Sequence, residues 1–301
     1  MKIEKFDTFS GHSDCVYTVV VGEKSNIFYS SGADGQVVRW NLEKPDAGEL
    51  IARIPASVYA MAFHKESNLL WVCQNGEGIH RIDPLTKTEH SSLKITFSSI
   101  FDIQFYQNLA WVASSDGIIF VIDIEKFALL KTIKASEKSA RTIAINSKSN
   151  ELAVGFSDFS IKIFDLTDFS QKFIINAHKN SVFTLKYSPD FLYLISGSRD
   201  AHLKKWNVVE NYQLELDIPA HMYAINDLYF SPNGNLMATC SMDKSIKIWE
   251  PENLKLLKVL DKARHAGHGT SINKLLWTGF DNLLVSASDD RKISVWKIIE
   301  E

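Results

Sequence analysis

Four times in this chain a histidine is followed 22 residues later by an aspartate and, six residues after that, by a tryptophan. The sets are His12–Asp34–Trp40, His178–Asp200–Trp206, His221–Asp243–Trp249 and His268–Asp290–Trp296. Four residues before each aspartate stands a hydroxyl: Ser30, Ser196, Thr239 and Ser286. Imidazole, carboxylate, hydroxyl and indole N–H at fixed spacing resemble catalytic chemistry. Their recurrence argues against it, because a catalytic group is assembled once per site, whereas a motif returning about every forty residues is a unit of construction.

Aligned on the aspartate, the chain falls into seven repeats anchored at Asp34, Gly76, Asp116, Asp158, Asp200, Asp243 and Asp290, with steps of 42, 40, 42, 42, 43 and 47 residues. No linker or low-complexity segment interrupts them, so residues 1–301 read as one domain. Each repeat opens on an alternating run, such as Val182 to Tyr187 or Ile225 to Phe230. A turn follows (Ser188-Pro189-Asp190, or Ser231 to Gly234), then a second run ending Ser-Gly-Ser or Thr-Cys-Ser. A tight turn at the aspartate leads to a third run, such as Ser245 to Trp249, and a fourth, such as Leu254 to Leu260, leads to the next histidine. Period-two alternation punctuated by Pro, Asn, Asp and Gly predicts four short antiparallel strands per repeat. No stretch shows helical periodicity.

One such sheet cannot bury both faces alone; seven stacked around an axis can, and closing the ring removes the exposed ends. A lone strand-like segment, Lys2 to Phe9, precedes the first repeat, and the last repeat has only three runs, ending near Ile299. The N-terminal segment is therefore expected to supply the outer strand of the seventh sheet.

Composition narrows the class further. Hydrophobic residues make up 45% and charged residues 23%, ordinary for a soluble globular protein. A net charge of −3 gives no field that draws the chain to nucleic acid or anionic membrane. The densest basic stretch holds Lys131, Lys134, Lys138 and Arg141, diluted by Glu137, and reads as a solvated edge. Cys15, Cys73 and Cys240 are far apart and form neither a disulfide framework nor a metal-ligand spacing, which suits a reducing compartment. The first nine residues contain no apolar signal-peptide core, and the longest apolar runs are of strand length, so a soluble cytoplasmic protein is expected.

Gly11-His12, Gly267-His268, the Ser-x-Ser-x-Asp pattern of the second run and the Trp ending the third resemble the WD40-repeat family. The resemblance covers nearly the whole chain, although no repeat carries the literal Trp-Asp pair: these positions read Trp40-Asn41, Ile82-Asp83, Ile122-Asp123, Phe164-Asp165, Trp206-Asn207, Trp249-Glu250 and Trp296-Lys297. It implies an all-β, closed seven-bladed β-propeller with four antiparallel strands per blade. It also implies that each His, hydroxyl, Asp and Trp set is a hydrogen-bonded tetrad inside its blade. Such a set should be kept whole or lost whole, because an orphaned buried partner costs about 1–3 kcal/mol. The second, third and fourth repeats fit this. They have Val72, Val112 and Val154 for the hydroxyl and Ile82, Ile122 and Phe164 for the Trp. At the histidine position the second has Ile54, the fourth Ser136, and the third no equivalent.

Chemistry outside the tetrads is sparse. There is no phosphate-binding Gly-rich loop, metalloprotease helix, nucleophile elbow or cysteine pair. His265 and His268 flank Ala266-Gly267 in the longest connection, Asp261 to Ser271, but His268 is claimed by its tetrad and His265 has no second ligand, so no metal or cofactor is expected.

In the family, partners are held on the face near the central channel. Three positions per repeat project there: those flanking the first apolar residue of the first strand, and the one before the anchor. Carried over, these positions include Tyr17, Tyr59, Phe101 and Phe183, four aromatics at one structural position, together with Arg141, Arg199, Asn226, Asn273 and Asp289. Aromatic and arginine anchors amid small polar residues are the usual composition of interface hot spots. The expected function is a non-catalytic scaffold for proteins or peptides, monomeric within a larger assembly. Two rivals stand beside it: a propeller enzyme of hydrolase or lyase type, and a sensor of small ligands or nucleic acid using Arg141, Arg199 and the aromatics.

Overall fold

The computed structural model describes residues Met1–Ile299. Its strands form seven four-stranded sheets, and in six of them the four strands are consecutive in sequence, each hydrogen-bonded to the next. The fifth is representative: Val182–Tyr187, Tyr193–Ser198, His202–Asn207 and Gln213–Pro219, all antiparallel. The seventh takes its fourth strand from the N-terminus. Lys2–Ser10 pairs antiparallel with Lys292–Ile299, from Lys2 opposite Ile299 to Ser10 opposite Lys292. The fold is a seven-bladed β-propeller whose last blade is completed by the N-terminal strand. The strands gather into two compact units, Met1–Lys94 with the chain from Tyr229 onward, and Ile95–Leu228.

Burial grades across each sheet. Second strands such as Glu151–Phe156 are buried throughout, whereas fourth strands such as Gln171–Asn176 are largely exposed. A strand covered on both faces reads as a continuous apolar or small-residue run rather than an alternating one. One position in it is always small: Ser31, Cys73, Ala113, Gly155, Gly197, Cys240 and Ala287. The reason is visible at two of them. A Cβ on Gly155 would come within 2.7 Å of Val182, and one on Gly197 within 2.8 Å of Ile225, both from the following blade. Cys73 and Cys240 are thus buried as small apolar groups.

The turn after the second strand explains why the anchor aspartate outlasts the tetrad. The residue following each anchor aspartate is left-handed: Gly35, Gly117, Phe159, Ala201, Lys244 and Arg291, with φ between 64° and 75°. Most of these are not glycine, so the conformation is held by other contacts. The aspartate carboxylate supplies one by accepting the backbone N–H two residues on, as at Gln36 (3.0 Å), Ser160 (3.1 Å) and His202 (3.0 Å).

The longest connection differs from the sequence expectation. It contains a four-residue helix, Lys262–His265, capped by Asp261, whose side chain accepts from Arg264 N at 2.8 Å. Four residues are too few to display a period.

Candidate partner-binding site

The first strand of a blade carries the residues of interest, and in six blades it is irregular in the same place. In Val16–Val21, Val58–His64, Ile100–Tyr106, Ala140–Asn146, Val182–Tyr187 and Ile272–Trp277 the register skips one residue. The skipped residues are Tyr17, Tyr59, Phe101, Arg141, Phe183 and Asn273. A bulge leaves one residue unpaired and re-aims its side chain. Across the bulge, the residue before the anchor donates its N–H to the residue before the strand, as in Ser157 to Ser139 (2.8 Å) and Arg199 to Ser181 (2.9 Å). The three positions per repeat are therefore neighbours by construction.

Within Ile95–Leu228 these bulges build one cluster. The Arg141 guanidinium carbon lies 4.3 Å from the Phe101 ring centroid and 5.5 Å from that of Phe183, and Arg141 Nε donates to Ser157 Oγ at 2.9 Å. A cation between two aromatic faces, tethered by a hydrogen bond, is held in place before any partner arrives. Arg199 is exposed, and Asn226 is half-buried.

Within the other unit the set is different. The Tyr17 and Tyr59 rings lie 4.9 Å apart. Asn273 Nδ2 donates to Asp289 Oδ1 at 2.7 Å and to the Val16 carbonyl at 2.9 Å. Burial and the Asp289 carboxylate push the Cys15 thiol up to about 11, and burial pushes the Tyr17 phenol up to about 12. A thiol in that state is protonated at neutral pH and is no nucleophile. Among the described residues no three His, Cys, Asp or Glu side chains gather to hold a metal ion. Both ring nitrogens of His268 are engaged, with Asp290 at 2.9 Å and Ser286 Oγ at 2.9 Å.

The recurrent polar sets come together inside their blades. His12 Nδ1 lies 3.0 Å from Asp34 and Nε2 2.7 Å from Ser30 Oγ, which accepts from Trp40 Nε1 at 2.7 Å. His178 repeats this with Asp200 (3.2 Å) and Ser196 (2.8 Å), and Trp206 donates to Ser196 at 2.8 Å. In the seventh blade Trp296 donates to Ser286 at 3.0 Å, and in the sixth Trp249 donates to Thr239 at 2.8 Å; His221 is buried and Asp243 half-buried. With a neutral imidazole one order satisfies every group: indole to hydroxyl, hydroxyl to Nε2, Nδ1–H to carboxylate. Burial alone would raise the Asp34, Asp200 and Asp290 carboxyls. The histidine and the backbone N–H donors outweigh it and hold all three below the ordinary range. Burial lowers His178, which keeps it neutral.

The other repeats modify the keep-or-lose expectation. Ser136, at the histidine position of the fourth, donates to Asp158 Oδ2 at 2.6 Å, so this set is shortened rather than lost. The contact survives because it lies at the turn, where Asp158 is only partly buried, while the deeper hydroxyl and indole positions are apolar. In the second, Gln74 Oε1 accepts from His80 Nε2 at 2.9 Å, a polar pair built elsewhere in the blade.

Sequence reasoning passed over two kinds of residue. Asp102 follows the bulge of the third blade, and its Oδ2 accepts from Ile143 N at 2.7 Å, while Thr184 Oγ1 donates to Asp227 at 3.1 Å; both tie adjacent first strands together. A carboxylate on an otherwise apolar strand was the available signal. Phe97 and Met222, 81% and 80% exposed, sit three residues before the third and sixth first strands, with Tyr223 beside Met222. A large apolar residue at the position held by Ser13, Pro55, Glu137, Lys179 and Gly269 in the other repeats marks Phe97 and Met222.

The fold and this geometry define a repeat protein of the propeller class. Residues 4–41, 169–207, 213–250 and 256–297, just over half of the chain, match the family described as "WD domain, G-beta repeat". The chain belongs to the WD40-repeat family. The four matched stretches are the four with a complete His, hydroxyl, Asp and Trp set. The 66 kDa stress protein of Physarum polycephalum is 23% identical over 249 residues, covering 80% of this chain and 40% of that protein. Actin-interacting protein 1-2 of Arabidopsis thaliana is 23% identical over 266 residues, covering 86% and 43%. The chain thus spans less than half the length of these relatives. The WD40 beta propeller domain of Doa1 superimposes with a TM-score of 0.87 at 18% identity, over 99% of this chain and 98% of that one, a likeness of fold alone. No described helix is long and apolar enough to cross a membrane.

Proposed function

We propose that this chain is a non-catalytic platform for protein assembly that holds a segment of a partner at the Phe101–Arg141–Phe183 cluster. The observation that carries the reading is the guanidinium fixed between two rings on three successive bulges. Aromatic and arginine side chains dominate interface energetics, and pre-ordering them removes an entropic cost of binding. Exposed Arg199, Phe97, Met222 and Tyr223 on the same compact unit add contact area of the same kind. One relative is named for an interaction rather than a reaction, Actin-interacting protein 1-2. Three cysteines, none in a disulfide among the described residues, favour a reducing, cytoplasmic setting. The test is capture of partners from native lysate by the wild-type chain and by Phe101→Ala with Phe183→Ala. Loss of specific partners from a folded variant supports the reading, and full retention counts against it.

A further inference from the structure

Beside the seventh blade lies an open cleft of about 780 Å³, remote in sequence from the proposed partner site and within the range of small-molecule sites. Its walls are the N-terminal strand, the last strand and the long connection with its Gly267 and Gly269 backbone. Three ammonium groups line it, Lys5, Lys262 and Lys292, against one carboxylate, Asp290. Asp290 is already engaged by His268, by Gly269 N (3.3 Å) and by Lys292 N (3.1 Å). Lys5 Nζ donates to the Ala266 carbonyl at 2.6 Å and lies 5.7 Å above the Trp296 ring. Lys262 and Lys292 form no ion pair among the described residues. Gly269 makes room for the first of them, since a Cβ there would lie 3.2 Å from Lys262 Nζ. A second, independent observation points inward. Ser294 lines the cleft at 2% exposure, and its hydroxyl makes no hydrogen bond among the described residues; its backbone pairs with Thr8 and Ser286 in the sheet, and its carbonyl also lies 3.2 Å from Ser286 Oγ.

From this juxtaposition we infer that the cleft binds the phosphate of a soluble phosphomonoester, with Lys262 and Lys292 pairing its oxygens and the Ser294 hydroxyl donating to one of them. Three cations against one anion leave an excess that suits a phosphate monoester, which carries about −1.5 to −2 at neutral pH. The volume exceeds what a phosphate fills and leaves space for an organic body.

The test is isothermal titration of the whole chain with inorganic phosphate and with phenyl phosphate at low salt. Saturable binding of both is expected, tighter for phenyl phosphate. Lys262→Gln with Lys292→Gln weakens binding by about tenfold or more. Ser294→Ala weakens it by about threefold to tenfold without lowering the melting temperature of the unliganded protein, because that hydroxyl has no partner to lose. Lys131→Gln, on an exposed strand of another blade, leaves affinity unchanged. Absence of saturable heat up to about 10 mM, equal affinity in the double variant, or equal loss in Lys131→Gln overturns the site. Binding of inorganic phosphate without phenyl phosphate overturns the assignment to an ester.

Discussion

Replacing Ser196 by valine tests whether the tetrad behaves as one object. The Ser196 hydroxyl accepts from Trp206 and meets His178, each at 2.8 Å. Valine, which the fourth repeat carries as Val154, orphans both groups in a buried site. Each orphan costs about 1–3 kcal/mol, so Ser196→Val is expected to lose about 2–6 kcal/mol. For a chain this long that is a fall of about 4–10 °C in melting temperature. Adding Trp206→Phe, which copies Phe164 of the fourth repeat, removes one orphan. Adding His178→Ser, which copies Ser136, removes the other and recreates the short contact seen between Ser136 and Asp158. Filling less volume at Trp206 costs something of its own, so the triple variant stays below wild type. Its total loss should nevertheless fall short of the sum of the three single losses by about 2 kcal/mol. Equilibrium urea unfolding of the single and triple variants measures this directly. Additivity within about 0.5 kcal/mol would refute the claim that the set is kept or reduced as a unit.

Further expectations are simpler. Asp200→Ala and Asp243→Ala lower the melting temperature while leaving partner binding by the folded protein nearly intact; an unchanged melting temperature in both removes the structural reading. Stability should fall with acid in two windows. Asp34, Asp200 and Asp290 have depressed pKa values, so their contribution is present above about pH 4 and is lost as pH drops through the folded values. His178 is neutral when folded, so its contribution begins to fall below about pH 6.5, where the unfolded chain takes up the proton; a flat stability profile from about pH 7 to 4 contradicts the histidine window, and a flat one from about pH 4 to 2 the aspartate window. Ala201→Gly, at φ 69°, relieves a left-handed alanine and should stabilise by about 0.5–1 kcal/mol, read as a rise in the urea midpoint.

The parts of the structure that recur were the parts readable from the chain. The anchor aspartates, the alternating runs and the unpaired segment at Lys2 fix seven sheets and the pairing of the first strand with the last, because each is a local pattern repeated in register. The cluster at Arg141 was legible only as positions. That Phe101 and Phe183 flank the guanidinium depends on the spacing between neighbouring blades, which no single repeat encodes. Phe97, Met222 and Tyr223 lie in connections that follow no period. Ser136 reads in the sequence as a missing histidine, whereas a hydroxyl beside a partly exposed carboxylate is a contact in its own right. The cleft beside Lys262 arises from how an insertion folds back, and its 47-residue step announces only extra length.

The Phe101–Arg141–Phe183 cluster carries the proposed function, and affinity for a captured partner measures it directly. Wild type and the Phe101→Ala, Phe183→Ala double variant are titrated with the same purified partner, both shown to be folded by circular dichroism. A weakening of about thirtyfold or more, the scale of a hot spot worth at least about 2 kcal/mol, is predicted. Equal affinity for the two proteins would contradict this role and move the interaction to another surface of the propeller.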